Sequence, residues 1–176
     1  LKYDSIEHGT PCTFAKSQGF SCHRDKGIDT LQEFNRPAVL TLYNDANKVQ
    51  YATLKEIKGN KAKLIVSGKE QVVSLTQLQK HWKGDYLFFW NIPEGYFQPM
   101  VPGDSGRAVL WLSRKMLEVT KHPKLIPHNN YDDILLDQIK AFQMKEGLDD
   151  DGVVGIRTLI HINQAINKRI PLLESS

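Results

Sequence analysis

The chain has 176 residues, of which 40% are hydrophobic and 24% charged, enough apolar content for one or two small folded cores and too much for a disordered chain. The formal net charge of +3 is mild, and the basic residues are interspersed with acidic ones, which argues against nucleic acid as a partner. No run approaches the roughly 18 apolar residues that span a bilayer, and no signal peptide stands at the start, so targeting and any membrane contact are expected from a segment outside this chain. Opening at Leu1 without a methionine reads as a portion of a longer protein.

The first element is a short helix after Thr10, with Pro11 at its first position and Gly19 at its end. Cys12 lies in it, and Cys22 follows at the edge of a strand. The pair is either a helix-to-strand disulfide, formed in an oxidising compartment, or two free thiols; the count alone leaves both open. A second short helix, capped by Asp29 or Thr30, runs through Phe34 and is stopped by Arg36 and Pro37. Strands are expected at Ala38 to Tyr43, Val49 to Ile57, Ala62 to Val66 and Gln71 to Val73, with a two-residue Gly59-Asn60 turn joining the second to the third. Ser74 and Gln77 form a capping box for a helix to Trp82 that Gly84 stops, and Tyr86 to Trp90 is a closing aromatic strand.

Pro93, Gly95, Pro99, Pro102 and Gly103 mark a linker or the entry to a second domain. A helix follows with Ser105 as N-cap and Val109, Leu112, Met116 and Val119 on its inner face. Pro123 and Pro127 bracket a crossover. Asp132 and Asp133 then open another helix whose inner residues are Leu135, Ile139 and Phe142, and Gly147 ends it. The run from Asp149 to Gly152 is turn chemistry, Val153 and Val154 are a short buried segment, and Gly155 leads into a last helix lined by Leu159, Ile162 and Ile166.

Ala141-Phe142-Gln143, then Gly147-Leu148, Asp151-Gly152-Val153-Val154-Gly155 and Thr158, resemble the peptidoglycan-binding module of cell-wall hydrolases and envelope proteins. The segment Pro102 to Leu117 resembles that module's first half. The strands carried by Arg36 to Leu42, Val49 to Val66 and Val73 to Trp90 resemble the second half of the bacteriocin-processing (double-glycine) cysteine peptidases, a papain-like fold. A working member of that family needs a thiolate, a histidine base and a residue that orients it. Here the histidine position reads Gln50 and the aspartate position Ser67, and no histidine occurs between His23 and His81. A degenerate peptidase-like domain is therefore expected, with no catalytic residues.

The expected fold is α+β: a partial papain-like peptidase-type domain over residues 1–93, followed by a small three-helix peptidoglycan-binding bundle over residues 97–176. That order resembles the periplasmic end of the general secretion pathway protein A family, inner-membrane ATPases of type II secretion. The resemblance implies peptidoglycan as ligand, secretion pathway protein B and the secretin as partners, and a periplasmic location; association with a second copy stays open. A wall-targeting piece of a hydrolase, or a peptide receptor using an emptied peptidase groove, are the alternatives.

For the wall ligand, helix starts offer N–H donors to carboxylates and arginines offer bidentate partners. Those considerations single out Asp104, Ser105, Arg107, Gln143, Asp151, Gly152, Arg157 and Thr158, against the plainer reading that they are caps, turns and solvated charges. His8, His23, His81, His122, His128 and His161 have no metal-site spacing, and the acidic run at Asp149 lacks the later glutamate of a calcium loop. No phosphate-binding loop is present, and no metal or cofactor is expected.

Overall fold

The computed structural model describes residues 10–121 and 126–174. His8, His122 and Pro123 fall outside them. The chain divides into two compact units: one runs to Asn91 and takes the chain back from Pro171, and the other is Ile92–Ile170. Residues 171–174, which the sequence reading assigns to the helical domain, group with the sheet.

In the first unit, α1 (Pro11–Ser17) is capped by Thr10, whose hydroxyl accepts from the Thr13 amide at 3.2 Å. It is followed by β1 (Ser21–Lys26), to which it is joined by a Cys12–Cys22 disulfide with Cα atoms 5.3 Å apart. Next comes α2 (Ile28–Phe34). Its N-cap is Gly27 rather than Asp29 or Thr30. The Thr30 hydroxyl is instead turned back onto the carbonyls of Lys26 and Gly27, at 2.9 and 3.2 Å. The sheet continues with β2 (Ala38–Tyr43), β3 (Val49–Lys58), β4 (Lys61–Val66), β5 (Lys69–Ser74) and β6 (Trp82–Trp90).

Between β3 and β4, Lys58 pairs with Lys61 across the two-residue turn, and Gly59 takes a φ of 55°, as a hairpin turn with glycine first requires. Between β5 and β6 lies α3 (Leu75–His81), which opens on the Ser74–Gln77 capping box and passes into β6 without a loop. Gly84, expected as a helix stop, is inside β6 with a φ of 98°. A Cβ there would approach the Gly27 amide to 3.2 Å, so glycine lets β6 close on the turn after β1.

All pairings are antiparallel, in the order β1-β6-β2-β3-β4-β5. One face carries the core: Leu31 and Phe34 of α2 and Leu78 of α3 are buried, with Leu40, Leu54, Leu64 and Phe88 of the strands. Each such side chain contributes about 1.5–3 kcal/mol by leaving water. The pairing of β2 with β3 ends at Ala38 and Leu54, and beyond it the Leu173 carbonyl accepts from the Ile57 amide of β3 at 2.7 Å. Asn35, at the left-handed end of α2, holds the same segment: its Oδ1 accepts from the Glu174 amide at 2.7 Å.

The second unit contains α4 (Arg107–Thr120), α5 (Asp133–Glu146) and α6 (Ile156–Ile166). Val109, Leu112 and Met116, Leu135, Ile139 and Phe142, and Leu159, Ile160 and Ile162 supply one buried stripe per helix. Asp132 caps α5 by accepting from the Leu135 amide at 2.9 Å. At its other end Gly147 is left-handed, its amide bonded to the Met144 carbonyl and that of Leu148 to the Gln143 carbonyl, a complete Schellman motif.

Candidate functional site

The residues that carry the wall-binding resemblance meet at one place in the second unit. Gln143 faces inward from α5 and is 1% exposed. Its Oε1 accepts from the Gly152 amide at 2.9 Å, and its Nε2 donates to the Val153 carbonyl at 3.0 Å, with Asp151 Oδ1 and Thr158 Oγ1 each at 3.3 Å. The same Asp151 oxygen accepts from the Val153 amide at 2.8 Å. Tyr131 donates its hydroxyl to the Gly152 carbonyl at 2.5 Å. Burial pushes the Tyr131 phenol well above its ordinary range, and the Asp151 carboxylate adds to the effect.

Gly152 is favoured here by its φ of 77°, and a Cβ would have to push Leu136 Cδ1 aside. Gln143, Gly152 and Thr158 were singled out as ligand contacts. In the structure all three are buried, and their polar atoms bond within the loop and across to α5. Asp151 is exposed but has one oxygen committed to the same loop, and α6 begins later, at Ile156, with Gly155 as N-cap. Arg157 is exposed in the first turn of α6.

The other expected cluster lies at the start of α4. Gly106, with a φ of 125°, is the N-cap, not Ser105. Ser105 instead bridges to Asn130, while the Gly103 amide donates to the Tyr131 carbonyl and the Tyr131 amide to the Asp104 carbonyl, at 2.9 and 2.8 Å. Asp104 Oδ2 accepts from the Val101 amide at 2.9 Å, closing a turn rather than capping a helix. Tyr131 thus ties this strap and the Gly152 loop together.

Beside the strap opens a groove of about 340 Å³, lined by Phe97, Gln98, Met100, Asp104, Ser105 and Arg107 among others. Phe97 is 86% exposed, and Arg107 Nη1 donates to Glu94 Oε1 at 2.7 Å in a solvent-exposed pair. Asp104, Ser105 and Arg107 are among the residues singled out in the sequence; Glu94, Phe97 and Gln98 are not, because the Pro- and Gly-rich stretch reads there as a linker or the entry to a second domain.

In the first unit the peptidase landmarks lie where the strands put them. Gln50 is exposed on β3, and Ser67 has a φ of 49° in the turn between β4 and β5. Cys12 is in the disulfide. His23 packs edge-on to Phe34, with ring centroids 5.0 Å apart, and its Nε2 is 3.4 Å from Asp25 Oδ2. His81 Nδ1 lies 3.1 Å from the Tyr43 carbonyl.

These features define an α+β sheet unit followed by a three-helix module of the wall-binding type. Residues 113–162 match the family described as "Putative peptidoglycan binding domain". Over 170 residues, 96% of its length, the chain is 27% identical to general secretion pathway protein A of Aeromonas hydrophila. Over 158 residues, 87% of its length, it is 30% identical to the protein named "Putative general secretion pathway protein A" of Escherichia coli strain K12. It spans 31% of the length of each.

Among solved structures, a periplasmic domain of the EpsAB fusion protein of the Vibrio vulnificus type II secretion system aligns with a TM-score of 0.59 at 21% identity. That alignment covers 87% of this chain and 68% of that one, and shows a shared fold. Among the described residues no helix is long and apolar enough to cross a membrane.

Proposed function

We propose that this chain is a periplasmic, non-catalytic, wall-binding region of a type II secretion protein. It holds the secretion apparatus to peptidoglycan and aids secretin assembly, with secretion pathway protein B and the secretin as partners. The observation that carries the reading is the family match over residues 113–162, supported by whole-length similarity to general secretion pathway A proteins. That similarity covers both units, which favours a secretion protein over a hydrolase fragment sharing only the helical module.

We place the ligand in the groove at the start of α4. Peptidoglycan presents sugar faces, amides and stem-peptide carboxylates. The exposed Phe97 ring offers a surface for a sugar face or stem methyl groups, Gln98 an amide, and Arg107 a bidentate partner for a carboxylate. Because Arg107 already pairs with Glu94, a stem carboxylate binds by displacing it, and the exposed pair is weak enough to permit that. Arg157 is a second carboxylate partner at the start of α6.

Co-sedimentation of the whole chain with purified insoluble peptidoglycan tests this. Phe97→Ala with Arg107→Ala is expected to weaken binding by about 1–3 kcal/mol, the range for a charged hydrogen bond with its packing. Glu94→Ala is expected to leave binding unchanged or strengthen it. Wild-type sedimentation by the double variant and by Arg157→Ala would remove these sites.

A further inference from the structure

The sheet of the first unit stops at β5: among the described residues no strand pairs with its far side. No described backbone partner faces that side of Lys69–Ser74. Along β5 the outward side chains are Glu70, ion-paired with Lys55 at 2.5 Å, and Val72, 60% exposed, while Gln71 and Val73 turn to the other face. There they line a cavity of about 520 Å³ between the sheet and α3. Leu42, Leu64 and Leu78 join Val73 in its apolar lining, and Gln50 and Gln71 present amides.

We propose that the edge of β5 and this cavity form one docking site for an extended, acidic peptide segment of a partner protein, which adds to the sheet as a further strand. Strand addition supplies backbone hydrogen bonds along the edge, and pockets for alternate side chains supply selectivity. A peptide on β5 has every second side chain on the cavity's face, so an aliphatic residue enters the cavity while Gln50 and Gln71 meet the neighbouring backbone amides.

Charge sets the rest of the peptide's chemistry. Residues 55–81 hold six lysines and two glutamates. Both glutamates are engaged with lysines, Glu70 with Lys55 and Glu56 with Lys63. The remaining excess includes Lys69 on the edge strand and Lys80 at the cavity, whose lining also holds one carboxylate, Asp45. That excess attracts aspartate and glutamate, and it disfavours a second copy of this chain, whose β5 would bring a like-charged edge. The site lies within the first unit and does not depend on the wall-binding groove.

The test pans a random-peptide display library against the immobilised whole chain. A labelled synthetic copy of the most enriched peptide is then measured by fluorescence anisotropy. Enriched sequences are expected to alternate aliphatic residues with others and to carry aspartate or glutamate, and binding is expected to protect the amides of Lys69–Ser74 from exchange. Lys69→Glu with Lys80→Glu should weaken the peptide about tenfold or more, and Gln50→Trp, which fills the cavity mouth, should do likewise. All three positions are exposed, so the fold is retained. Failure of any peptide to enrich, affinity indifferent to both variants, or protection away from β5 would overturn the proposal. So would a dimer in ultracentrifugation that the charge reversal abolishes, since that would make the occupant a second copy.

Discussion

The two units carry recognisable sequence in opposite ways. In the helical unit the most diagnostic residues are Gln143 and, eight to fifteen positions after it, Asp151, Gly152 and Thr158, each hydrogen-bonded to Gln143. In the sheet unit the diagnostic stretches are strands, and the positions where the resemblance expects a histidine and an aspartate hold an exposed glutamine, Gln50, and a turn serine, Ser67. In both, the recurring pattern encodes architecture. The residues we propose for binding are nearby and less patterned, Phe97 and Arg107 in one unit and Gln50 and Gln71 in the other.

The contrast breaks most sharply at Gly152. Gly152→Val forces a β-branched residue to positive φ and into Leu136, and is expected to destabilise the helical unit by about 4 kcal/mol. Hydrogen exchange resolved by peptide should show α4 to α6 opening while the amides of β2, β3 and β6 keep their rates. Equal loss in both units would mean that the knot does not belong to the helices alone.

The reverse experiment is Leu173→Ala. Leu173 is fully buried and its carbonyl holds the Ile57 amide, so the change should cost about 2–4 kcal/mol, felt in the sheet unit although the residue follows the last helix. Faster exchange in α6 with none in β3 would assign the C-terminal segment to the other unit.

The smallest effect sharpens the role of Tyr131. Tyr131→Phe removes one hydroxyl donor to a buried carbonyl, worth about 1–2 kcal/mol. The folded state keeps the phenol proton above pH 10, where the unfolded chain releases it. Stability from this group is therefore full below pH 10 and lost as pH rises above it. Thermal midpoints of the wild type should fall more steeply above pH 10 than those of Tyr131→Phe; parallel curves would show that the phenol does not couple to folding.

Local chemistry was legible in the sequence wherever a short stretch fixes its own geometry. Thr10 before Pro11, the Ser74–Gln77 box, the Gly59 turn and the Gly147 terminus each follow from steric or capping rules that act within a few residues. Helical spacing also marked inward faces, among them Leu112, Met116, Ile139 and Ile162, all buried. Where the rules compete, sequence misplaced the element: Thr30 bonds back to Lys26 instead of capping, and Gly84 relieves a close approach inside a strand instead of ending a helix.

Only the tertiary structure decided that Gln143 is internal, because its four partners gather only when the loop from Asp151 to Val153 folds back on α5. It alone decided that residues 171–174 return to the sheet, since the Leu173 carbonyl bonds the Ile57 amide, on β3 beyond the end of its pairing with β2 and more than a hundred residues earlier. Hydrophobic spacing reports which face of an element is buried. It carries no information on which distant backbone group lacks a partner, and that missing bond is what draws the C-terminal segment home.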